Sequence, residues 1–332
     1  MIIETRNVYT HDGWALELRR ATVPEQLKPN RHPLLLVPGY GMNTFILSFH
    51  PRGASIERCL AEAGFEVWSV NMRGQGGARR LRGDARAPSL AVYADTDLPA
   101  TIDEIIRSTR TKSDRVALIG CSLGGSIAYA HIGMDPGHRV SAIVAIGAPL
   151  RWEDPHAALR IAFGSPWVAS RVRLTGTRAI ARALLPVAVR IPGALNLYVN
   201  SRHLDRDSAA EMVQTVEDPQ PLVNRDIAKW LRAGDMVLRG VNVTSAMRRT
   251  DLPLLIVLAN RDGIVPAASV LSAERMWGGR DVQILRVGTD EDWFAHADLF
   301  ISPDSPERVF SPIVRWLEPR VGASSSLAAA VR

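Results

Sequence analysis

Six short runs rich in valine, isoleucine and leucine leave this chain few folds to choose from: Leu34–Val37, Val67–Val70, Val116–Ile119, Ala142–Ile146, Leu254–Leu258 and Val282–Val287. Each is too short for a stable helix and apolar almost throughout, as strands buried on both faces are. Between them lie helical spacings such as Ile56, Leu60 and Ala63, or Leu98, Ile102, Ile105 and Ile106. Buried strands alternating with amphipathic helices predict an α/β fold, a mostly parallel sheet with helices on both faces. A hairpin precedes it. Asn7–Thr10 and Trp14–Leu18 flank His11-Asp12-Gly13, and an Asp-Gly step between alternating apolar residues is a strong turn signal.

The alternation breaks once. After Ala148-Pro149, the sixth strand counting the hairpin, the next sheet-like run begins only at Pro253. The residues between, 151–250, show helical periodicity interrupted by Pro186, Pro192, Pro219 and Pro221. A structureless loop of that length is uncommon in a compact domain. The expectation is a core of residues 1–150 and 251–319, a helical cap of residues 151–250 over one end of the sheet, and a disordered tail at 320–332.

Charge points the same way. The chain carries 40 Lys+Arg against 34 Asp+Glu, and residues 151–250 alone hold 15 against 9, so the whole excess sits in the insert. Those arginines are scattered through apolar sequence, with no stripe of stacking aromatics, so nucleic acid is not the expected partner. A solvated helical face is the first reading, and attraction to anionic ligands or transient contact with a membrane surface the second. Only Cys59 and Cys121 occur, outside any Cys/His cluster, so neither disulfides nor metal ligands are expected. No basic, apolar leader opens the sequence and no run approaches the ~20 residues of a membrane span. A cytoplasmic protein is expected.

The sharpest chemical signal is Gly120-Cys121-Ser122-Leu123-Gly124-Gly125. G-x-S-x-G alone is weak, but here a buried strand precedes it and a helical pattern follows. Small neighbours let the hydroxyl stand clear of a strained turn, and the helix N-terminus turns backbone N–H groups toward developing negative charge. A serine hydroxyl needs a base, and the base an orienting carboxylate. Of eight histidines, His11, His32, His50, His131, His138, His156 and His203 fall in turns, loops, helices or the insert. His296 instead follows the last strand by a short loop, at the carboxyl edge where open α/β sheets place their sites. Asp262, just beyond Leu254–Leu258, is the preferred acid, its structural alternative being a turn or N-cap aspartate. Asp290, Glu291, Asp292 and Asp298 lie nearer His296 in sequence but follow no buried strand directly.

These residues resemble the α/β-hydrolase superfamily, in which the order Ser122…Asp262…His296 is the usual one. The resemblance runs from Val8 to about Leu317, and the insert falls where that family carries its cap. Leu34-Leu35-Leu36-Val37-Pro38-Gly39-Tyr40-Gly41 is similar to its strand ending in the oxyanion loop, with Pro38-Gly39 where His-Gly is usual. The resemblance implies an oxyanion hole from the backbone N–H groups of Tyr40 and Leu123, with Gly41 or Met42 as alternatives for the first. Asn71-Met72-Arg73-Gly74-Gln75-Gly76 resembles the family's D-x-R-G-x-G turn and reads as structural.

Serine at the elbow argues against the aspartate-dependent dehalogenases and epoxide hydrolases. Cys121, one place before it, is not read as the nucleophile. The expected activity is hydrolysis of carboxylic esters through an acyl-enzyme, with no cofactor, on a small ester or acyl substrate. Thioesterase, acyltransferase and C–C bond hydrolase use the same residues, and a non-catalytic binding protein would keep only the fold. Trp152, Phe163, Trp167, Tyr198 and Trp230 read first as cap core and second as pocket lining. Arginine-interleaved apolar sequence over 161–199 is expected to roof an acyl channel and favour medium or longer chains.

Overall fold

Residues 1–171, 174–188, 191, 193, 195–205 and 207–322 are described by a computed structural model. Eight strands form the main path of its sheet: β1 (Ile2–Tyr9), β2 (Trp14–Thr22), β3 (Leu34–Val37), β4 (Val67–Asn71), β5 (Val116–Cys121), β6 (Val140–Ile146), β7 (Leu254–Ala259) and β8 (Val282–Val287). Their order is β1-β2-β4-β3-β5-β6-β7-β8, with a two-residue strand, Arg79–Arg80, pairing off the path with β2. From β4 onward the strands run parallel, while β1 and β2 are antiparallel to their neighbours. All six apolar runs are strands of this sheet. The hairpin is longer at both ends than its turn signal suggested, because β2 must reach β4.

Side chains alternate across the sheet into two cores. Leu35, Val37, Leu118 and Ile143 enter one, and Leu34, Leu36, Ala117 and Val144 the other. Helices cover both faces, including α1 (Ile56–Glu62), α2 (Leu98–Ser108) and α3 (Leu123–Met134). Helix α3 is buried from Leu123 through Ile132, as befits the central helix of such a sheet. The turn after β4 is structural, as its pattern implied. Arg73 is fully buried, its guanidinium bonded to both carboxylate oxygens of Asp97 and of Asp12. Asn71, in the place of the family's aspartate, accepts from the Thr44 amide at 2.8 Å.

Between β6 and β7 the chain forms α4 (Ala157–Ala162), α5 (Pro166–Ala169), α6 (Thr177–Ala188), the short helix Ala209–Met212 and α7 (Pro221–Ala233). Helix α7 starts on a proline, buries Val223, Ile227 and Trp230, packs on α5 and ends at Gly234, which has a φ of 74°. A small hairpin, Val237–Leu238 with Val241–Asn242, was not foreseen. Its turn, Arg239-Gly240, is flanked by Val237-Leu238 and Val241, but with arms of only two residues the pattern is too short to stand out from the helical periodicity around it. Helices α8 (Ala267–Met276) and α9 (Ser311–Leu317) complete the layers. Of the expected tail, residues 323–332 lie outside the described residues, whereas Val321 is buried and its carbonyl accepts from the His32 amide at 2.8 Å.

Candidate active site

Strand β5 runs into α3 through Ser122, whose φ of 52° and ψ of −120° no ordinary serine adopts without support. The support is local. The Ser122 amide donates to Ile146 O at 2.7 Å, and its carbonyl accepts from the Gly125 amide at 3.0 Å. Three glycines permit the close approach. A Cβ on Gly120 would lie 2.2 Å from Gly125 Cα, on Gly124 2.2 Å from Val37 O, and on Gly125 2.5 Å from Ala148 Cβ. The turn thus holds Ser122 at the carboxyl edge of the sheet. Cys121 faces the other way, into the core, where burial pushes its thiol well above the ordinary range. Such a thiol stays protonated and unreactive.

Asp262 lies in the turn after β7, and its two oxygens divide their work. Oδ1 accepts the amides of Ile264 and Val265, both at 2.8 Å, and Oδ2 pairs with His296 Nδ1 at 2.6 Å. The structural alternative for this residue is therefore true alongside the pairing: amide bonds fix the carboxylate that faces the imidazole. The rival acids are engaged elsewhere. Asp298 Oδ2 accepts the amides of Ala295 and Asn200, Asp292 pairs with His203 at 2.8 Å and Arg308 at 2.5 Å, and Asp290 is exposed.

His296 is 5% exposed and packs beneath Gly147. Gly147 has a φ of 59°, and a Cβ there would meet His296 Cε1 at 3.0 Å and Nδ1 at 3.2 Å. With Nδ1–H donated to Asp262, Nε2 is left as the acceptor. Ser122 and His296 border one cavity without a direct hydrogen bond between them. Contacts of that kind are often long in the empty site.

A leg of the insert, 197–205, ties the two loops together, and nothing in the local sequence pattern announces it. Leu197 O accepts the Gly263 amide at 3.1 Å, and Tyr198 O accepts the Ala297 amide at 2.7 Å. Asn200 Nδ2 donates to Trp293 O at 2.8 Å. His203, set aside in the sequence as an insert histidine, bonds Asp292 and approaches Asp298, and these carboxylates raise its pKa despite burial.

On the other side of Ser122, the Tyr40 phenol donates to Asn224 Oδ1 of α7 at 2.6 Å, and burial pushes its pKa up to about 12. Tyr40, Ser122 and Leu123 border one small recess. Neither the Tyr40 nor the Leu123 amide has an acceptor among the described residues.

The cavity forks at Ser122. A large arm of about 480 Å³ runs among Met42, Leu185, Leu195, Tyr198, Val213 and Ile301, and a small one of about 70 Å³ lies against Trp152, Phe163, Ile227 and Trp230. The aromatics expected first as core thus divide. Trp230 is buried in one core and Trp152, Phe163 and Tyr198 pack against the cores, while all four also border the cavity, and only Trp167 stands in solvent. Helical spacing cannot separate these outcomes, because an amphipathic helix turns its apolar face to a cavity as readily as to protein.

Comparison with known proteins agrees with this architecture. The family model described as serine aminopeptidase, S33, matches residues 52–285. Human lipase member N is 28% identical over 169 residues, 46% of this chain and 40% of the lipase. The tear acid lipase-like protein of Mesocricetus auratus is 30% identical over 140 residues, 38% of this chain and 33% of its own. The chain thus matches well under half the length of these relatives. A soluble variant of monoglyceride lipase from Saccharomyces cerevisiae superposes with a TM-score of 0.66 at 16% identity, covering 97% of this chain and 96% of that one. A thermophilic esterase from Thermogutta terrifontis gives 0.64 at 16%, covering 96% and 99%. With a matching family model over most of its length and this sheet order, the chain belongs to the serine aminopeptidase S33 family of the α/β-hydrolase superfamily.

Proposed function

We propose that the protein is a serine ester hydrolase whose nucleophile is Ser122, with His296 as base and Asp262 orienting the imidazole. The observation that carries this reading is the 2.6 Å His296–Asp262 bond at the rim of an apolar cavity that also holds a strained, forward-standing serine. Ser122 Oγ attacks the acyl carbon while Nε2 of His296 takes its proton. The C–O bond to the alcohol breaks, and the imidazolium returns the proton to the leaving oxygen. Water then repeats the sequence against the acyl-enzyme and frees the acid. The amides of Tyr40 and Leu123 hold the oxyanion, and Asp262 stabilises the transient imidazolium.

Residues 151–250 act as the cap in this reading. Their side chains form much of the large arm, which suits a medium or longer acyl chain. Esters are favoured over aminopeptides by the lining. Among the described residues around either arm there is no Asp or Glu to receive a free α-ammonium group, and burying such a charge unpaired is costly. The unpaired Cys59 and Cys121 suit a reducing, cytoplasmic setting.

The test is a panel of p-nitrophenyl esters, acyl-thioesters and aminoacyl p-nitroanilides on the wild type and on Ser122→Ala, with an added alcohol acceptor in a parallel series. Ester turnover abolished in the variant is the expected result. A clear preference for thioester, anilide or acyl transfer would replace the ester assignment with that activity.

A further inference from the structure

From residue 155 to residue 204 the chain holds seven arginines and not one aspartate, glutamate or lysine. Fifty residues without a carboxylate are unusual beside a core in which most arginines are paired. Among the described residues of this stretch only Arg178 reaches a carboxylate, Glu217 at 2.6 Å. Arg202 finds a backbone carbonyl, and Arg160 likewise bonds Pro155 O. Arg171 lies over the Trp167 ring at 4.0 Å, and Arg182 has no partner among the described residues.

The same stretch exposes apolar side chains. Of the fourteen large hydrophobic residues exposed among the described ones, eight fall here, including Ile161 at 83%, Trp167 at 64% and Leu184 at 61%. Scattered exposed apolar residues need no explanation, but a concentration of this kind does. Helix α6 shows how the surface relates to the cavity. Ala181 and Leu185 line the large arm, while Ile180 and Leu184, one position before each, stand in solvent one turn apart. The apolar arc of this helix therefore runs from the cavity wall onto the outer face, with Arg178 and Arg182 bordering it on the cavity-wall side.

We propose that this stretch, whose Leu159, Phe163, Ala181 and Leu185 border one cavity, docks on an anionic lipid bilayer, with Ile161, Trp167, Ile180 and Leu184 entering the interface and Arg160, Arg171 and Arg182 meeting acidic headgroups. The composition fits an element that lies on a membrane: arginine interleaved with tryptophan and branched aliphatics, and no acid within the stretch itself. The carboxylates at the start of α6, Glu217 and Asp218, are held by Arg178 and by Gly176 and Thr177. Charge complementarity selects the occupant. A second copy would bring the same arginines face to face, and a zwitterionic surface would leave them without partners. The inference does not depend on which residue is the nucleophile, since none of the docking side chains borders the cavity.

Flotation with phosphatidylglycerol and phosphatidylcholine vesicles at low and high salt tests it on the whole protein. The expected result is binding to the anionic vesicles that weakens at high salt, and at least about tenfold weaker binding to the zwitterionic ones. Combined Arg160→Glu, Arg171→Glu and Arg182→Glu lowers anionic binding at least about tenfold, while the corresponding lysine triple retains it. Combined Ile161→Ser, Trp167→Ser and Leu184→Ser removes the salt-resistant part of the binding. Turnover of a soluble short ester and the melting temperature report that each variant is folded. Equal binding to both lipids, no binding to the anionic vesicles, or unchanged binding of a folded glutamate triple overturns the proposal. So does a wild-type dimer in light scattering that the serine triple dissociates while vesicle binding is absent.

Discussion

Gly147→Ala separates placement of the histidine from the stability of the fold. Gly147 sits just past β6 with a φ of 59°, its amide donating to Val257 O at 2.8 Å. Alanine there carries two penalties. The left-handed backbone costs about 1–2 kcal/mol for any residue with a Cβ. The new methyl group also lies 3.0 Å from His296 Cε1 and 3.2 Å from Nδ1, so the imidazole must retreat by a few tenths of an ångström. That retreat acts on the 2.6 Å bond to Asp262 and on the approach to Ser122. Misplacement by about 1 Å can cost about 100-fold in rate, so a shift of a few tenths of an ångström is expected to lower kcat roughly 4- to 10-fold. Gly240→Ala is the control, because Gly240 has a φ of 81° and nothing lies within 4 Å of a methyl group added there. Both variants are expected to lose the backbone term of about 1–2 kcal/mol in urea titrations, Gly147→Ala somewhat more for its contact with His296, and only Gly147→Ala to lose ester turnover. Wild-type kcat in a folded Gly147→Ala protein would refute the claim that this glycine sets the imidazole.

Three further outcomes follow from the same geometry. Across p-nitrophenyl esters from C2 to C12, kcat/KM should rise about two- to fourfold per methylene until the large arm is filled, at ~0.8 kcal/mol per buried CH₂, and Ala181→Trp should flatten the rise; a fall beyond C4 in the wild type would show that the cap excludes chains. Asp262→Asn can still accept the Ile264 and Val265 amides but turns an NH₂ toward His296 Nδ1, favouring the wrong tautomer, so kcat should drop about 10³–10⁴-fold with the melting temperature nearly kept. His131 is buried, with Nδ1 on Ala94 O at 3.0 Å, and burial lowers its pKa from 6.5 to about 4. The unfolded chain then takes up this proton first as pH falls, so up to roughly 3 kcal/mol of stability is lost between pH 6.5 and 4; urea titrations of His131→Gln should show a shallower slope over that window.

What could be read in the sequence follows from how local the cause is. Buried parallel strands must be apolar on both faces, so Leu34–Val37 and Leu254–Leu258 announce themselves. The turn at Ser122 needs small residues within three positions, and they are adjacent in the chain. Asp262 could be ranked above Asp298 because a carboxylate just past a buried strand stands at the carboxyl edge. Asp298, only two residues from His296, spends its oxygen on the Ala295 and Asn200 amides instead. The 197–205 leg is silent in the sequence for the opposite reason. Its bonds to Gly263, Trp293, Ala297 and Asp298 cross from 66 to 99 positions of sequence and use mostly backbone groups, which every residue has. Lining and core positions in the insert are likewise inseparable, since both demand apolar side chains at helical spacing.

Covalent capture tests Ser122 as the nucleophile most directly. The protein is treated with a fluorophosphonate, residual ester hydrolysis is followed, and the adduct is mapped by peptide mass spectrometry. The expected result is one adduct per chain, on Ser122, accumulating in proportion to lost activity, with no labelling of Ser122→Ala. Inactivation with the adduct on another residue, or full ester turnover by protein stoichiometrically labelled at Ser122, would contradict it.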